Sequence, residues 1–323
     1  MSAQNPIVSI LMSLYNEPKN QIYSAVNSIL KQTYSNFELI IINDNPENLE
    51  LKKISSQISK IDNRIKVIHN KKNLGLALSM NKAANLAKGK YLARMDADDV
   101  AHEKRIQLEV NQMDQGIDFV YTNCTFINED GEELNIENLF RNAQIAKKIL
   151  PLKNCISHSS IMITTKLFNK LGGYRNFPCS QDYDLWLRVI GSDAKISAIS
   201  QKLMFYRIRS NSISATMPMK QDLTASYIKE LYRERKNNKN CIDNFSVAHY
   251  QEYLSKNGFG NKRNEQSYIK YKNLKNSSRE KFTKHHKITG LIGYTWAFLR
   301  NKLVRQSIIT DWKIRKAVKS LNS

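Results

Sequence analysis

The stretch Gly89-Lys90-Tyr91-Leu92-Ala93-Arg94-Met95-Asp96-Ala97-Asp98-Asp99 decides how this chain is read. A short apolar run follows a glycine and ends in three carboxylates within four residues. That pattern predicts a buried strand whose end opens into a polar cleft. In extended backbone, side chains two apart share a side, so Asp96 and Asp98 face the same way. Two like charges held together repel unless a cation lies between them. Mg²⁺ and Mn²⁺ favour such oxygen-rich settings, with substrate phosphates completing the shell. The alternative at this point is a solvated acidic turn before a helix beginning near Ala101, because acidic residues also favour helix N-termini. The flanking sequence separates the two.

Upstream, Ile7–Leu14 is a near-continuous apolar run, the pattern of a strand covered on both faces. It stops at Tyr15-Asn16-Glu17-Pro18, and Asn20–Gln32 then places Ile22, Val26, Ile29 and Leu30 at helical spacing. A second strand, Phe37–Ile42, ends at Asn43-Asp44-Asn45-Pro46. A helix near Leu49–Ser59, a strand at Ile65–Ile68, a loop over His69–Gly75 and an alanine-rich helix over Leu76–Ala87 lead back to the opening stretch. Alternating strand and helix implies an α/β fold with a mostly parallel, doubly wound sheet. Ligands bind such sheets beyond the carboxyl ends of the strands, where Tyr15, Asp44 and Asp96 all lie. Downstream, Phe119–Ile127 reads as strand with a turn at Glu129-Asp130-Gly131, and Ile156–Thr164 as another strand. Lys166–Leu171 reads as a short helix closed by Gly172-Gly173, and Asp182–Val189 as a helix with Leu185, Trp186 and Val189 inward. After about Ser214 the pattern turns to basic helical segments.

The charge is uneven. Residues 225–323 hold 22 Lys and Arg against 7 Asp and Glu, whereas residues 1–224 hold 28 against 22. The excess belongs to the C-terminal third and suits an anionic partner, nucleic acid or anionic lipid, or a solvated lysine-rich surface. Cys124, Cys155, Cys179 and Cys241 are scattered, as in reduced thiols rather than a disulfide framework or zinc site. No apolar run approaches the roughly 18 residues of a spanning helix. Met1–Pro6 lacks the basic and apolar regions of a secretory signal, so a cytoplasmic location is expected.

These motifs, in this order, resemble glycosyltransferase family 2, the nucleotide-sugar-dependent enzymes of the GT-A fold. The carrying segments are Ser9–Glu17, Phe37–Asp44, Asn73-Leu74-Gly75 with Asn81, Asp96–Asp99, Gly172-Gly173-Tyr174, Gln181–Arg188 and Tyr206-Arg207. The likeness covers about residues 5–215. It implies a catalytic domain over residues 1–220 with a Rossmann-like, mostly parallel sheet. Residues 221–323 then form a basic, mainly helical extension that associates with membrane or acceptor.

The resemblance implies roles residue by residue. Ser13, Tyr15, Glu17, Asp44, Asn73, Asp96 and Arg207 would bind the donor. Tyr15 would lie near the base, Glu17 near the ribose, and Asp96 at the ribose or sugar. Asp44 would accept from the uracil imide, or else cap its turn; Asn43 stands where the family usually has a first carboxylate. Asp98, with Asp96, would ligate Mn²⁺ or Mg²⁺ bridging the phosphates. Asp99 would assist through water or cap the next helix. Asp182 would be the base that deprotonates the acceptor hydroxyl for inverting attack, with Gln181 where a glutamate is usual. Asp184 reads as structural. His158 reads as a sugar or phosphate contact or a structural histidine, Arg94 as a phosphate contact, and Lys72 as a phosphate contact or a solvent-facing charge. The implied partners are a UDP-sugar and a saccharide or lipid-linked acceptor in capsule, lipopolysaccharide or exopolysaccharide synthesis.

The uncharged run Ile288–Leu299, flanked by His285-His286-Lys287 and Arg300-Asn301-Lys302, is too short to span a bilayer. It suits a helix in the membrane interface or one packed in a core. An anionic membrane surface met through residues 284–319 would place the protein peripherally on the inner face of the plasma membrane. Two rivals remain at this level. A nucleic-acid-binding protein would explain the basic charge, but no binding motif appears, and no nucleic acid is expected. A nucleotidyltransferase would share the sheet and acidic site, but Tyr15–Pro18 is not a glycine-rich phosphate loop.

Overall fold

The computed structural model describes residues 8–136, 142–209, 216–238, 242–283 and 287–322. Met1–Ile7, Ser214, Cys241 and residues 284–286, which enter the sequence reading, lie outside them. The chain divides into two units, one of residues 1–147 and 155–209, the other of residues 148–154 and 210–323.

In the first unit, β1 (Val8–Leu14) and β2 (Phe37–Asn43) are buried at every position, as continuous apolar runs require when both faces are covered. The α1 helix (Lys19–Leu30) buries Ile22, Ala25, Val26 and Ile29. The α2 helix (Leu49–Ile58) starts where the Asn48 side chain accepts from Leu51 N at 2.9 Å, and β3 (Ile65–His69) follows. Then come α3 (Leu76–Leu86) and β4 (Tyr91–Arg94). Strands β1 to β4 pair in parallel, in the order β3-β2-β1-β4. Their carboxyl ends therefore share one edge.

Beyond β4 lie β5 (Val100–Ala101), α4 (Arg105–Met113), β6 (Phe119–Ile127), α5 (Ala143–Ile149), β7 (Ile161–Thr164), α6 (Thr165–Lys170), α7 (Gln181–Ile190) and β8 (Ile196–Arg207). They extend the sheet as β4-β7-β6-β8-β5, with β6 and β8 parallel and the other three pairings antiparallel. The result is the expected α/β sheet, with more antiparallel pairing in its second half.

Two local expectations are corrected. The helix predicted from Ala101 begins at Arg105, because Val100 and Ala101 pair with Phe205 and Met204 of β8, about a hundred residues away in sequence. Strand structure predicted over Ile156–Thr164 is confined to Ile161–Thr164. His158–Ser160 forms a single 3-10 turn, in which the Ser160 hydroxyl donates to Ser157 O at 2.9 Å. A hydroxyl that satisfies a nearby carbonyl competes with the strand ladder.

The second unit is helical: α8 (Pro218–Asn237), α9 (Val247–Lys256), α10 (Lys262–Thr283), α11 (Lys287–Arg300) and α12 (Lys302–Asn322). Leu223, Tyr227, Ile228 and Leu231 of α8 are buried, and Tyr250 of α9 meets the Thr224 hydroxyl at 2.6 Å. Among the described residues no helix is long and apolar enough to cross a membrane.

Candidate active site

Three parallel strand ends supply the first side chains. Beyond β2, Asp44 is 3% exposed and donates its own N–H to Leu14 O of β1 at 2.8 Å. Its Oδ1 accepts from Asn70 Nδ2 (2.7 Å) and Leu74 N (2.8 Å), and its Oδ2 from Gly75 N (2.9 Å). A carboxylate has about four acceptor positions, so three donors fix its plane and leave a lone pair for a further donor. Asn73 lies in the same loop and shares the Gly75 N–H through its Oδ1 at 2.8 Å. Asn43, where the family usually has an acid, turns inward to His69 Nδ1 (3.3 Å) and caps Asn45 N (3.0 Å).

Near the end of β1, Ser13 is buried, and just beyond the strand Tyr15 is exposed. The Glu17 carboxylate folds back to accept from Tyr15 N at 2.8 Å. Burial raises its pKa against that hydrogen bond; Asp98 adds to the rise and Arg209 opposes it, which puts Glu17 in the field of both.

Beyond β4, the acidic stretch is held from beneath. Arg94 is buried and donates to Leu11 O at 3.0 Å, to Met95 O and to Asp96 Oδ1. Arg105 of α4, also buried, donates to Arg94 O (2.9 Å), Ile161 O (3.3 Å) and Glu109 Oε1 (3.0 Å). These guanidiniums tie the end of β4 to β1 and β7. Arg94, expected as a phosphate contact, is here a buried internal clamp, while Lys72 is exposed.

Asp96, Asp98 and Asp99 diverge in role although they are neighbours. Burial pushes Asp96 up, but Arg94, His158 and the Ser159 hydroxyl together hold it below the usual carboxylate range. Asp98 is raised by burial and by Asp96, against its ion pair with Arg209 Nη1 at 3.1 Å. Asp99 is raised well above the usual range by burial and by both neighbouring carboxylates. Ser159 Oγ touches both Asp96 Oδ2 (3.0 Å) and Asp99 Oδ2. A hydroxyl has one proton to give, so it bonds both carboxylates only when one of them is protonated: Ser159 donates to Asp96 while Asp99, in its acid form, donates to the Ser159 oxygen. Asp99 caps no helix: its Oδ1 accepts from Arg207 N at 2.7 Å, which fastens the acidic turn to the end of β8.

Arg207 donates to three main-chain carbonyls: Asp98 O (2.7 Å), Asn128 O (2.8 Å) and Glu129 O (2.9 Å). Arg209, two residues on, is the guanidinium that reaches the Asp98 carboxylate. Arg209, unlike Arg207, is not among the residues that the family resemblance implies. The signal was present in Tyr206-Arg207-Ile208-Arg209, where extended backbone puts both arginines on one side.

Asp182 stands half-buried in the first turn of α7, where the helix dipole favours a carboxylate. The turn is set by Ser180, the one non-glycine residue with positive φ (58°) among the described residues. Asp184, fully buried, accepts from Arg175 Nε at 2.9 Å and Arg188 Nε at 3.0 Å; it is structural. Trp186 is buried against Phe119, with ring centroids 5.0 Å apart, and belongs to the core. The His158 ring, buried, meets the Tyr174 hydroxyl at 2.8 Å, so it buttresses the site from within. Burial raises the Tyr206 phenol strongly, and Asp99, Asp96, Asp98 and Asp182 all raise it further. The Tyr206 phenol thus lies in the field of carboxylates from the turn after β4 and from α7, which more than eighty residues separate in sequence.

The model of Glycosyl transferase family 2 matches residues 9–172. The O-antigen biosynthesis glycosyltransferase WbnJ of Escherichia coli is 32% identical over 247 residues, spanning 75% of this chain and 96% of that protein. The UDP-Glc:alpha-D-GlcNAc-diphosphoundecaprenol beta-1,3-glucosyltransferase WfgD of Escherichia coli is 32% identical over 216 residues, spanning 65% of this chain and 80% of WfgD. The crystal structure of S. aureus TarS 1-349 in complex with UDP-GlcNAc shares the fold, with a TM-score of 0.57 at 16% identity over 90% of this chain and 79% of that one.

Proposed function

The chain belongs to glycosyltransferase family 2, and from that premise we propose that it moves a sugar, with inversion, from a UDP-sugar to a saccharide or lipid-linked saccharide acceptor in surface polysaccharide synthesis. The observation that carries this reading is that Asp96, held by Arg94 and Ser159, and Asp98, paired with Arg209, lie just past the end of β4, on the edge of the parallel sheet where Asp44 also lies. WfgD, by its name, takes UDP-Glc and a diphosphoundecaprenol-linked sugar, and WbnJ acts in O-antigen synthesis; both support the donor and acceptor classes.

Asp44 accepts the uracil imide N–H on its remaining lone pair, with Tyr15 beside the base and Ser13, Glu17 and Asn73 around the nucleoside. The residues present suit Mn²⁺ or Mg²⁺. Asp98 is a largely buried carboxylate pushed up by Asp96, an excess of negative charge that a divalent cation would relieve. Among the described residues no three His, Cys, Asp or Glu side chains gather to hold a metal, so phosphates and water would have to complete the shell of such an ion. Asp98, with Asp96, would hold it, and the bound ion supplies charge neutralisation for the departing diphosphate.

Asp182 is the general base. The acceptor oxygen attacks the anomeric carbon, the bond from that carbon to the β-phosphate oxygen breaks, UDP departs, and the hydroxyl proton passes to the Asp182 carboxylate. The diphosphate contact expected of Arg207 falls to Arg209, since the Nε and Nη1 donors of Arg207 are committed to carbonyls while Arg209 reaches the Asp98 carboxylate.

The test is turnover of UDP-Glc, UDP-GlcNAc, GDP-mannose and dTDP-glucose with Mn²⁺, with Mg²⁺ and with EDTA. Consumption of a UDP-sugar that EDTA abolishes is expected. Equal turnover in EDTA, or a preference for GDP- or dTDP-sugars, would overturn the reading.

A further inference from the structure

We infer that the outer faces of α11 and α12 form a docking surface for an anionic lipid bilayer, on which the chain lies without crossing it. This goes beyond the transfer reaction and stands on a different part of the molecule. A lipid-linked acceptor would give the surface a use but is not its ground.

The inner faces of the two helices are already occupied by α10. Gly293 of α11 sits so close that an added Cβ would fall 2.3 Å from Ser278 Oγ and 3.4 Å from Leu274 Cδ1. Ala297 is fully buried, as are Val304 and, nearly so, Ile308 of α12. Lys275 of α10 donates to Ser307 Oγ (2.6 Å) and pairs with Asp311 (2.8 Å), both on α12. The hairpin is thus fixed by one side of each helix.

The opposite sides carry apolar side chains into solvent. On α11, Leu291, Ile292, Trp296 and Leu299 fall within one arc of the helix and are 48–64% exposed. On α12, Arg305, Ile309, Trp312 and Lys316 form a narrow stripe at spacings of four, three and four, with Trp312 61% exposed. Soluble surfaces seldom gather large apolar side chains in this way unless they bind something.

Charge selects the occupant. Residues 287–322 hold eight Lys and Arg against one acid, Asp311, which Lys275 already pairs. The cations lie beside the aromatics: Arg300 is 4.3 Å from the centre of the Trp296 ring and Lys316 is 5.6 Å from that of Trp312. Tryptophan at headgroup depth with Lys and Arg reaching lipid phosphates is the composition of an interfacial helix. A second copy would set like charge against like charge, and a nucleic acid would leave the leucine and isoleucine side chains unpartnered. At 14 residues α11 is about 21 Å long, short of the roughly 30 Å hydrocarbon layer, so it lies along the surface.

The test is sedimentation of the full chain with vesicles of phosphatidylcholine alone and of phosphatidylcholine with phosphatidylglycerol, across a salt series. Partition onto the anionic vesicles, weakening with salt, is expected. Brominated lipid in those vesicles should quench Trp296 and Trp312 and spare buried Trp186, the third tryptophan of the chain. Ile292→Glu with Trp296→Glu should lower partition at least about tenfold. Arg300→Gln and Lys316→Gln should each lower it roughly fivefold. All variants should keep the parent's melting midpoint and UDP-sugar affinity. If the glutamate pair unfolds, the glutamine variants and the quenching in the parent decide. Absence of binding to anionic vesicles, equal partition of parent and variants, or unquenched tryptophans would overturn the proposal. So would a parent that is dimeric or RNA-bound in solution and loses that state, rather than vesicle binding, in the variants. Vesicle binding without UDP-sugar turnover would count against the donor reading alone.

Discussion

Asp98 bears the charge conflict of the site, pressed by burial and by Asp96 and relieved within the chain by Arg209. Asp98→Ala should remove the cation dependence of UDP binding, so that calorimetric affinities with Mn²⁺ and with EDTA converge; a persisting difference would place the ion elsewhere. Asp182→Asn keeps the side chain's shape and removes the base. It should leave UDP-sugar affinity unchanged and lower transfer by on the order of 10² to 10⁴, and a rate within about threefold of the parent would move the base to another group. His158 is buried facing Arg94, Asp96 and Tyr174. Burial and then Arg94 hold its pKa at about 3, against an ordinary 6.5, with Asp96 opposing. Between those two values the unfolded chain binds the proton and the folded chain does not, so stability falls as pH falls, by about 1.4 kcal/mol per pH unit. Urea midpoints measured from pH 7.5 to pH 5 should drop less for His158→Gln than for the parent. Comparing the two cancels Glu109, whose burial pushes it up to about 7 and gives a slope of opposite sign.

At the scale of elements, the loop into β4 is set by contact between backbones. An added Cβ at Gly89 would lie 2.5 Å from Ser9 N and 2.8 Å from Val8 C, main-chain atoms that cannot step aside. The Gly89 N–H also donates to Ser9 Oγ at 2.8 Å, and Ser9 in turn to Glu38 at 2.7 Å. Gly89→Ala should therefore cost about 2 to 3 kcal/mol, read as a lower urea midpoint at constant slope; a loss below about 0.5 kcal/mol would show that β1 and β4 separate freely. Elements with a strong period were legible in the sequence: β1, β2, α1 and α3 fall within a residue or two of expectation because hydrophobic spacing is a local property. The pair Val100–Ala101 was not, since its strand character comes from β8. Nor do the local alternatives for Asp99, assistance through water or a helix cap, include its partners Ser159 and Arg207, which come from distant parts of the chain.

At the scale of the molecule, the second unit includes residues 148–154 as well as the C-terminal helices. Ile149 and Leu150 in that segment are buried, and Lys153 lies 3.9 Å from Asp311 of α12. A chain ending at Arg209 should accordingly bind a dye such as anilinonaphthalene sulfonate and elute as aggregates, whereas the full chain should do neither; a clean, dye-free monomer would show that the first unit stands alone. Local sequence sufficed for the strand–helix order, the acidic stretch at a strand end and the basic character of the last third, because periodicity and composition are written residue by residue. Which arginine answers Asp98, which carboxylate is tied off by a serine, and which sides of α11 and α12 remain uncovered were decided by the tertiary structure. Those outcomes depend on partners far away in the chain, and a side chain's charge state and exposure follow from the neighbours that packing brings to it.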